Sequence, residues 1–286
     1  MKKTSALGTF PALLCAATLL APAARAAEPA PLPKELPPYG ADKPLPVPAI
    51  AKSTLPNGLA VWLVTRPGFP KVSTVLAVRG GTAVDPAGME GVGGLLAATM
   101  KEGTAKRSSR RIAEELQAVG GNLSVAAAAD AFYLRGSALA SGLPALLDLL
   151  ADVARNPAFP PGEVDLAKEN ALQELEAQEA TPEYLAGKVF AKAVYGTHPY
   201  HVVSPTRETI GKVAPALLRA EHARRFRPDQ ALLVVAGDLD EAAAKAAVAK
   251  AFGGWAASGE PVPPTPPSPP ARAREILLVD RPGSVQ

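Results

Sequence analysis

The chain has few of the residues from which several common kinds of site are built. It contains one cysteine, Cys15, three histidines, and only 5% aromatic residues. A single cysteine cannot form a disulfide within the chain, so stability must come from packing and hydrogen bonds. We also find no phosphate-binding loop, no dinucleotide fingerprint and no nucleophile elbow. Gly91-Val92-Gly93-Gly94 does not have the spacing of a phosphate-binding loop.

Long apolar runs are absent except at the N-terminus. There, two lysines precede the mostly apolar and small residues 5–22, and Ala24-Arg25-Ala26 fits a small-x-small cleavage site. A membrane anchor is the alternative, but Pro11 interrupts the run, which is shorter than the ~20 residues that a span needs. We therefore predict a signal peptide over residues 1–26, no membrane span after cleavage, and a periplasmic or secreted bacterial protein.

The predicted mature chain also lacks an excess of charge. The formal charge of +3 loses Lys2, Lys3 and Arg25 on cleavage while no acidic residue is lost, so 3 − 3 = 0. A neutral chain has no general basic field to attract nucleic acid or anionic lipid. The sequence therefore argues against a nucleic-acid partner. Cleavage also removes Cys15, so no thiolate remains as a nucleophile or metal ligand.

Proline clusters divide the chain into segments. Residues 27–49 are proline-rich with few large apolar groups, which predicts an extended lead-in. Residues 259–273 hold a second cluster, typical of a stiff interdomain linker in polyproline conformation. The segment 274–286 begins with an apolar run, which predicts the first strand of a truncated second domain. The intervening residues 50–258 would then form one domain.

Periodicity within residues 50–258 predicts alternating pairs of strands and helices. The predicted order is β-β-α-α-β-β-α-α-α-β-α, which indicates an α/β (α+β) fold with a mostly antiparallel sheet and helices on one face. Strands are expected at 59–67, 72–79, 122–140 as a hairpin, and 231–236. Helices are expected at 88–102, 108–119, 143–155, 161–195 with a break near Thr181-Pro182, 214–226 and 240–252.

A set of short motifs in this order resembles the N-terminal half of the insulinase/pitrilysin zinc metallopeptidases, peptidase family M16. The resemblance covers residues 50–258 and implies a LuxS/MPP-like metallohydrolase architecture. No single motif is specific, but their order and spacing match the family. The motifs are Leu55-Pro56-Asn57-Gly58-Leu59, Val78-Arg79-Gly80-Gly81, Lys101-Glu102-Gly103-Thr104, Gly120-Gly121-Asn122-Leu123, Glu169–Leu175, His198-Pro199-Tyr200, Phe226-Arg227-Pro228-Asp229 and Val234–Asp238.

The resemblance also implies where a metal site would lie. Members of the family bind zinc through an inverted His-x-x-Glu-His motif, with a distal glutamate as third ligand. Alignment on Gly103-Thr104 places Gly94, Ala97 and Ala98 at the three motif positions, and Glu174 at the distal position. Glycine and alanine offer no ligand atom and no base. We therefore expect no catalytic residue, no bound metal and no cofactor in this chain.

The remaining potential metal ligands, one glutamate and the histidines, allow more than one interpretation. Glu174 is a remnant of the ligand set, or simply an exposed helix glutamate that pairs with a nearby Lys or Arg. His198 and His201 could form a displaced metal pair, whereas His222 falls on a separate helix. Histidines in such loops are more often surface or packing residues.

The sequence thus favours a non-catalytic subunit that pairs with a zinc-bearing homologue to enclose peptides in a shared chamber. One alternative is a stand-alone scaffold or peptide-binding protein, in which the hairpin at 122–140 accepts a peptide by strand addition. A second alternative is an active zinc metallopeptidase with displaced ligands, for which Glu174, His198 and His201 would have to converge.

Overall fold

The computed structural model describes Gly40, residues 47–270 and residues 273–280. The predicted signal peptide and most of the proline-rich lead-in lie outside the described residues. Six strands are β1 (Ala51–Thr54), β2 (Ala60–Thr65), β3 (Lys71–Arg79), β4 (Asn122–Ala127), β5 (Ala131–Leu139) and β6 (Ala231–Gly237). Eight helices are α1 (Val92–Thr99), α2 (Ser109–Ala118), α3 (Leu143–Arg155), α4 (Pro161–Glu179), α5 (Pro182–Tyr195), α6 (Arg207–Lys212), α7 (Pro215–Arg225) and α8 (Glu241–Phe252).

The six strands form one sheet in the order β1-β2-β6-β3-β5-β4. Every neighbouring pair is antiparallel except β2 and β6, which run parallel. The expectation of a mostly antiparallel sheet is therefore confirmed. The hairpin of β4 and β5 places β4 at one edge of the sheet, and β1 lies at the other edge.

One face of the sheet is buried and the other is more open. In β3, Val72, Thr74, Leu76 and Val78 are buried, while the residues between them are exposed or half-buried. This alternation follows from the period of two in a strand. The leucine-rich helix α3 packs on β5 and on α8, and α8 packs on β2. The core lies between the sheet and these helices, as predicted for helices on one face.

Local sequence explains where several helices begin. The Ser108 hydroxyl accepts a hydrogen bond from the Arg111 backbone N–H at the start of α2. The Asp240 carboxylate does the same for Ala243 at the start of α8. These side chains satisfy donors that the first helical turn leaves without partners. Two short elements were missed by the sequence analysis, β1 and α6.

The proline-rich segment lies against the domain rather than running free from it. Val262 is 2% exposed, and its backbone N–H and carbonyl both bind the side-chain amide of Gln230. The Arg227 guanidinium donates to the Ser258 carbonyl at 2.7 Å. Further along, the Thr265 hydroxyl donates to Asp130. Packing therefore continues beyond residue 258, into the segment that the sequence assigned to a linker.

The strand predicted after the linker is not formed in the described residues 273–280, which contain neither helix nor strand. Ile276 is 83% exposed and Leu278 is 94% exposed. A strand needs a neighbouring strand for its backbone hydrogen bonds, and no described strand pairs with this segment. Residues 281–286 lie outside the described part of the chain. Among the described helices, none has the length and apolar character needed to cross a bilayer.

Candidate functional site

A cavity of about 970 Å³ lies between α1, α4 and the segment from Tyr195 to Ile210. From α1, Gly94, Leu95 and Ala98 line it. Ala98 lies one helical turn after Gly94 and Leu95, so the three residues share one face of the helix. Across the cavity, α4 contributes a stripe that runs from Glu163 to Glu174. Cavities of this size hold small ligands or peptide side chains in many proteins.

The structure brings three of the four predicted metal-motif positions onto this one cavity. Gly94, Ala98 and Glu174 all line it. A Cβ built on Gly94 would meet no atom within 4 Å apart from its own stretch of helix, so there is open space where the first motif side chain would project. Ala97 is different, because it is 4% exposed, belongs to the core and is not part of the cavity wall.

The donor atoms on the cavity wall do not fit zinc. Zinc sites are built from imidazole and thiolate groups with at most a few carboxylates, yet no histidine or cysteine in the described part of the chain lines this cavity. Glu174 is exposed, and one of its oxygens accepts a hydrogen bond from the Gln178 amide at 2.7 Å. Across the described ranges, no three His, Cys, Asp or Glu side chains are grouped so that they could hold a metal ion.

The glycines at the start of α1 are required by packing. Gly91 has φ of 97°, and a Cβ there would lie 2.5 Å from Pro205. A Cβ on Gly93 would lie 2.9 Å from the Asp85 carboxylate. That carboxylate accepts hydrogen bonds from the backbone N–H groups of both glycines. Asp85 thus fixes the first turn of α1, and with it one wall of the cavity.

Asp85 is in turn held by a fully buried arginine. The Arg225 guanidinium donates to Asp85 at 2.9 Å, to the Gly81 carbonyl at 3.0 Å and to Glu221 at 2.5 Å. Burial raises the pKa of Asp85 above its ordinary value, and Arg225 and the two backbone N–H groups oppose that rise. Sequence reasoning missed this network, because Gly81 and Asp85 lie far from Arg225 in sequence and only Glu221 is near it.

The two histidines of the His-Pro-Tyr loop form hydrogen bonds with backbone groups. His198 Nδ1 accepts the Tyr200 N–H at 3.2 Å, and Nε2 donates to the Pro266 carbonyl at 2.9 Å. His201 Nδ1 donates to the His198 carbonyl at 2.8 Å. Neither imidazole lines the cavity that holds Glu174. The convergence of Glu174, His198 and His201 that a displaced zinc site requires is therefore not found.

A cluster at the mouth of the cavity was also missed by sequence reasoning. The Tyr200 hydroxyl donates to the Asp130 carboxylate at 2.7 Å, and the Thr265 hydroxyl donates to it at 2.6 Å. Hydrogen bonds from Thr265 and then Tyr200 lower the pKa of Asp130. Asp130 therefore stays ionised at neutral pH beside the cavity. The three residues are too far apart in sequence for any spacing rule to connect them.

The third histidine is half-buried and lies away from the cavity. His222 on α7 stacks on Phe226 with ring centroids 4.6 Å apart, and it meets Phe159 edge-on at 6.0 Å. Its Nε2 donates to the Ala154 carbonyl at 2.9 Å. Burial lowers the pKa of His222 to about 4, and the hydrogen bond to Ala154 opposes only part of that shift. The ring is therefore neutral at physiological pH and acts in packing.

We expect His222 to make the protein less stable as the pH falls from about 6.5 to about 4. In that window the unfolded state protonates this ring at an ordinary pKa of about 6.5, whereas the folded state does not until about pH 4. The loss attributable to His222 should reach roughly 3 kcal/mol, since each pKa unit is worth about 1.4 kcal/mol.

Urea unfolding of His222→Gln at a series of pH values measures this contribution. Gln can keep a donor toward the Ala154 carbonyl but does not titrate. The stability of the variant should therefore fall less steeply than that of the parent chain between pH 6.5 and pH 4. Parallel curves for His222→Gln and the parent would contradict the assignment.

Comparison with known proteins agrees with this architecture. A family model described as Insulinase (Peptidase family M16) matches residues 60–205, just over half of the 286 residues. The chain belongs to this family. A second model, described as Peptidase M16 inactive domain, matches residues 212–285. The resemblance stated from the sequence motifs is thereby confirmed.

Curated relatives within the insulinase family are longer than this chain. An uncharacterised zinc protease of Mycobacterium leprae is 29% identical over 205 residues, which are 71% of this chain and 46% of that protein. The alpha subunit of the mitochondrial-processing peptidase of Solanum tuberosum is 28% identical over 65% of this chain and 36% of that protein. The chain thus spans about half the length of the curated relatives that it matches, or less.

Solved structures of the insulinase family share the fold. A peptidase M16 inactive domain from Pseudomonas fluorescens superposes with a TM-score of 0.72 at 24% identity, covering 77% of this chain and 54% of that chain. The periplasmic protease PqqL from Escherichia coli gives a TM-score of 0.70 at 18% identity, covering 77% of this chain and 25% of that one. These similarities show the mixed α/β architecture with its six-stranded sheet.

Proposed function

We propose that this chain is a non-catalytic member of the insulinase family that pairs with a zinc-bearing homologue and forms part of a peptide-degrading chamber. One observation carries the proposal. The positions at which the family resemblance expects metal ligands, Gly94 and Ala98, have no donor atoms, yet they line a well-formed cavity together with Glu174. A lost catalytic site with a retained cavity is expected of a subunit that still contacts peptide.

The relatives support this proposal in two ways. One of them is by name a subunit of a peptidase, and a solved neighbour is described as an inactive domain of the family. Zinc, in this proposal, belongs to the partner subunit.

We also propose export to the periplasm or the outside of the cell. The support is the predicted signal peptide over residues 1–26 and the structural similarity to a protein described as periplasmic. N-terminal sequencing of the protein recovered from the periplasmic fraction checks this prediction. The expected first residue is Ala27. An intact Met1 on that protein would contradict cleavage.

Reconstitution tests the proposed pairing. We expect the purified chain to hydrolyse no peptide by itself, and to form a complex on gel filtration with a homologue that carries an intact His-x-x-Glu-His motif. Peptide hydrolysis by the mixture should exceed that of the homologue alone several-fold and should stop when a chelator removes the zinc. Unchanged activity and separate elution of the two proteins would contradict the proposal.

A stand-alone peptide-binding role is the second candidate, and the position of β4 favours it. This strand is at the edge of the sheet, with Asn122, Ser124 and Ala126 exposed along it. An edge strand can accept an extended peptide through its free backbone groups. Capture of a peptide by the isolated chain, together with failure to pair with any zinc-bearing homologue, would favour this candidate over the first.

A further inference from the structure

The charged side chains that line the cavity beside α1 are all acidic. Five carboxylate side chains line it, and no lysine, arginine or histidine of the described residues does. The rest of the wall is largely apolar and includes Leu95, Leu166 and Ile210. Such a cavity favours a ligand that combines an apolar body with a positive charge. The acidic side chains are Asp85, Glu102, Asp130, Glu163 and Glu174.

Two of the five carboxylates already have a cationic partner. Asp85 binds Arg225 at 2.9 Å, and Glu102 binds Lys101 at 2.8 Å. No lysine or arginine in the described ranges forms an ion pair with the other three carboxylates, which belong to Asp130, Glu163 and Glu174. The hydroxyl groups that bind Asp130 carry no charge and so do not neutralise its carboxylate. The net charge of the wall is therefore negative.

The arrangement along α4 separates the charges by an apolar floor. Glu163 and Glu174 are eleven residues apart, which is about 16 Å along a helix. Leu166, Ala167, Asn170 and Ala171 line the cavity between them and form its mostly apolar floor. Opposite Glu174, the missing side chain of Gly94 and the single methyl of Ala98 leave room for an aliphatic chain.

We propose that this cavity binds a peptide segment in which a Lys or Arg follows an apolar residue. The cation binds Glu174, and its aliphatic stem lies along Gly94 and Ala98. Lysine and arginine suit this shape, since they carry a charged head on an apolar stem. The neighbouring apolar residue of the peptide packs on the floor between Leu95 and Leu166. This inference rests on the proposed role as a peptide-contacting subunit and specifies which peptides it selects.

Isothermal titration of the full chain with two matched peptides tests the inference. The probes are acetyl-Ala-Leu-Lys-Leu-Ala-amide and the same peptide with norleucine, which keeps the aliphatic stem without the charge. The lysine peptide should bind about five-fold more tightly, as expected for a partly exposed ion pair. Raising the salt from about 0.05 M to about 0.5 M should remove that preference. Equal binding of both peptides would overturn the proposal.

Variants of residues on α1 and α4 test where the cation of the peptide binds. Glu174→Gln should weaken the binding of the lysine peptide about five-fold and leave the binding of the norleucine peptide unchanged. Glu176→Gln is the matched control, because Glu176 is an exposed carboxylate on the same helix that does not line the cavity. Ala98→Leu should weaken the binding of both peptides, because the larger side chain fills the space that the aliphatic stem occupies. Equal effects of Glu174→Gln and Glu176→Gln would overturn the assignment.

Two further outcomes separate this inference from the proposed function. If neither peptide binds at concentrations up to about 1 mM, the cation pocket is refuted, even if the chain pairs with a zinc-bearing homologue. If the lysine peptide binds through Glu174 but no pairing occurs, the pocket stands and the subunit role fails. Free butylamine should bind more weakly than the lysine peptide, and equal binding would overturn the peptide specificity.

Discussion

Gly94→His/Ala98→His is expected to bind about one zinc ion per chain after dialysis against zinc, whereas the parent chain is expected to retain none. Two histidines four residues apart on α1 project from one helical face. Both positions line the cavity that holds Glu174, and a Cβ added at Gly94 would meet no atom within 4 Å apart from its own stretch of helix. Two imidazoles and a carboxylate are a common zinc ligand set.

Controls for this rebuilt site come from α4. Adding Glu174→Gln should weaken zinc binding by about 100-fold, since removal of a direct ligand costs at least as much as removal of its supporting groups. Adding Glu176→Gln should leave the affinity unchanged, because that carboxylate does not line the cavity. Metal analysis and zinc titration measure both. A double variant that binds zinc no better than the parent would show that Gly94, Ala98 and Glu174 do not converge.

The rebuilt site is expected to bind metal without hydrolysing peptides. The glutamate position of the motif, Ala97, still lacks the carboxylate that takes a proton from a zinc-bound water. Ala97 is also 4% exposed and packed in the core, so a glutamate there would bury a charge in apolar surroundings. The methyl group at Ala97 thus serves packing, which is a further change from the arrangement that the family resemblance implies.

The sequence predicted the main elements because their patterns are local. The amphipathic repeat of α2 and its cap at Ser108 are both visible in the sequence, and so is the apolar run of β6. The edge strand β1 was missed, because Ala51-Lys52-Ser53-Thr54 has no strong strand former among its first three residues and forms through pairing with β2. The pairing supplies the hydrogen bonds that such a segment cannot provide alone.

The candidate site could be predicted only in part. Family spacing placed Gly94, Ala98 and Glu174, which do line one cavity. It could not predict the Asp130–Tyr200–Thr265 cluster, because those contacts depend on how the β4–β5 turn, the His-Pro-Tyr loop and the proline-rich segment meet in the fold. Proline content predicted a stiff segment over 259–273, but the anchoring of Val262 by Gln230 depends on tertiary structure.

Replacement of the fully buried arginine is the second change from which we expect a large effect. Arg225→Leu should destabilise the chain by about 3–5 kcal/mol at neutral pH, since removing one partner leaves buried carboxylates without compensation. The side chains of Arg225, Asp85 and Glu221 are 0%, 4% and 9% exposed. Urea unfolding monitored by circular dichroism measures the loss.

Two comparisons make the result specific to the network. Arg224→Ala removes the neighbouring arginine, whose side chain is 38% exposed and also pairs with Glu221. This change should lower the free energy of unfolding by at most about 1 kcal/mol. Asp85→Asn/Glu221→Gln/Arg225→Met removes all three charges together and should recover part of the lost stability, because no charge is then left buried and unpaired. If Arg225→Leu does not fold, the triple variant still reports on the network.

The same replacement should also affect the cavity. Asp85 holds the backbone N–H groups of Gly91 and Gly93, and Arg225 holds Asp85 in place. Without the arginine, the pKa of Asp85 should rise further, since burial is then opposed only by backbone donors. Proton uptake would relieve the buried charge, so the deficit of Arg225→Leu relative to the parent should shrink as the pH falls from neutral. A deficit below about 1 kcal/mol at pH 7, or one that grows on acidification, would show that Arg225 does not hold the wall of the cavity through Asp85.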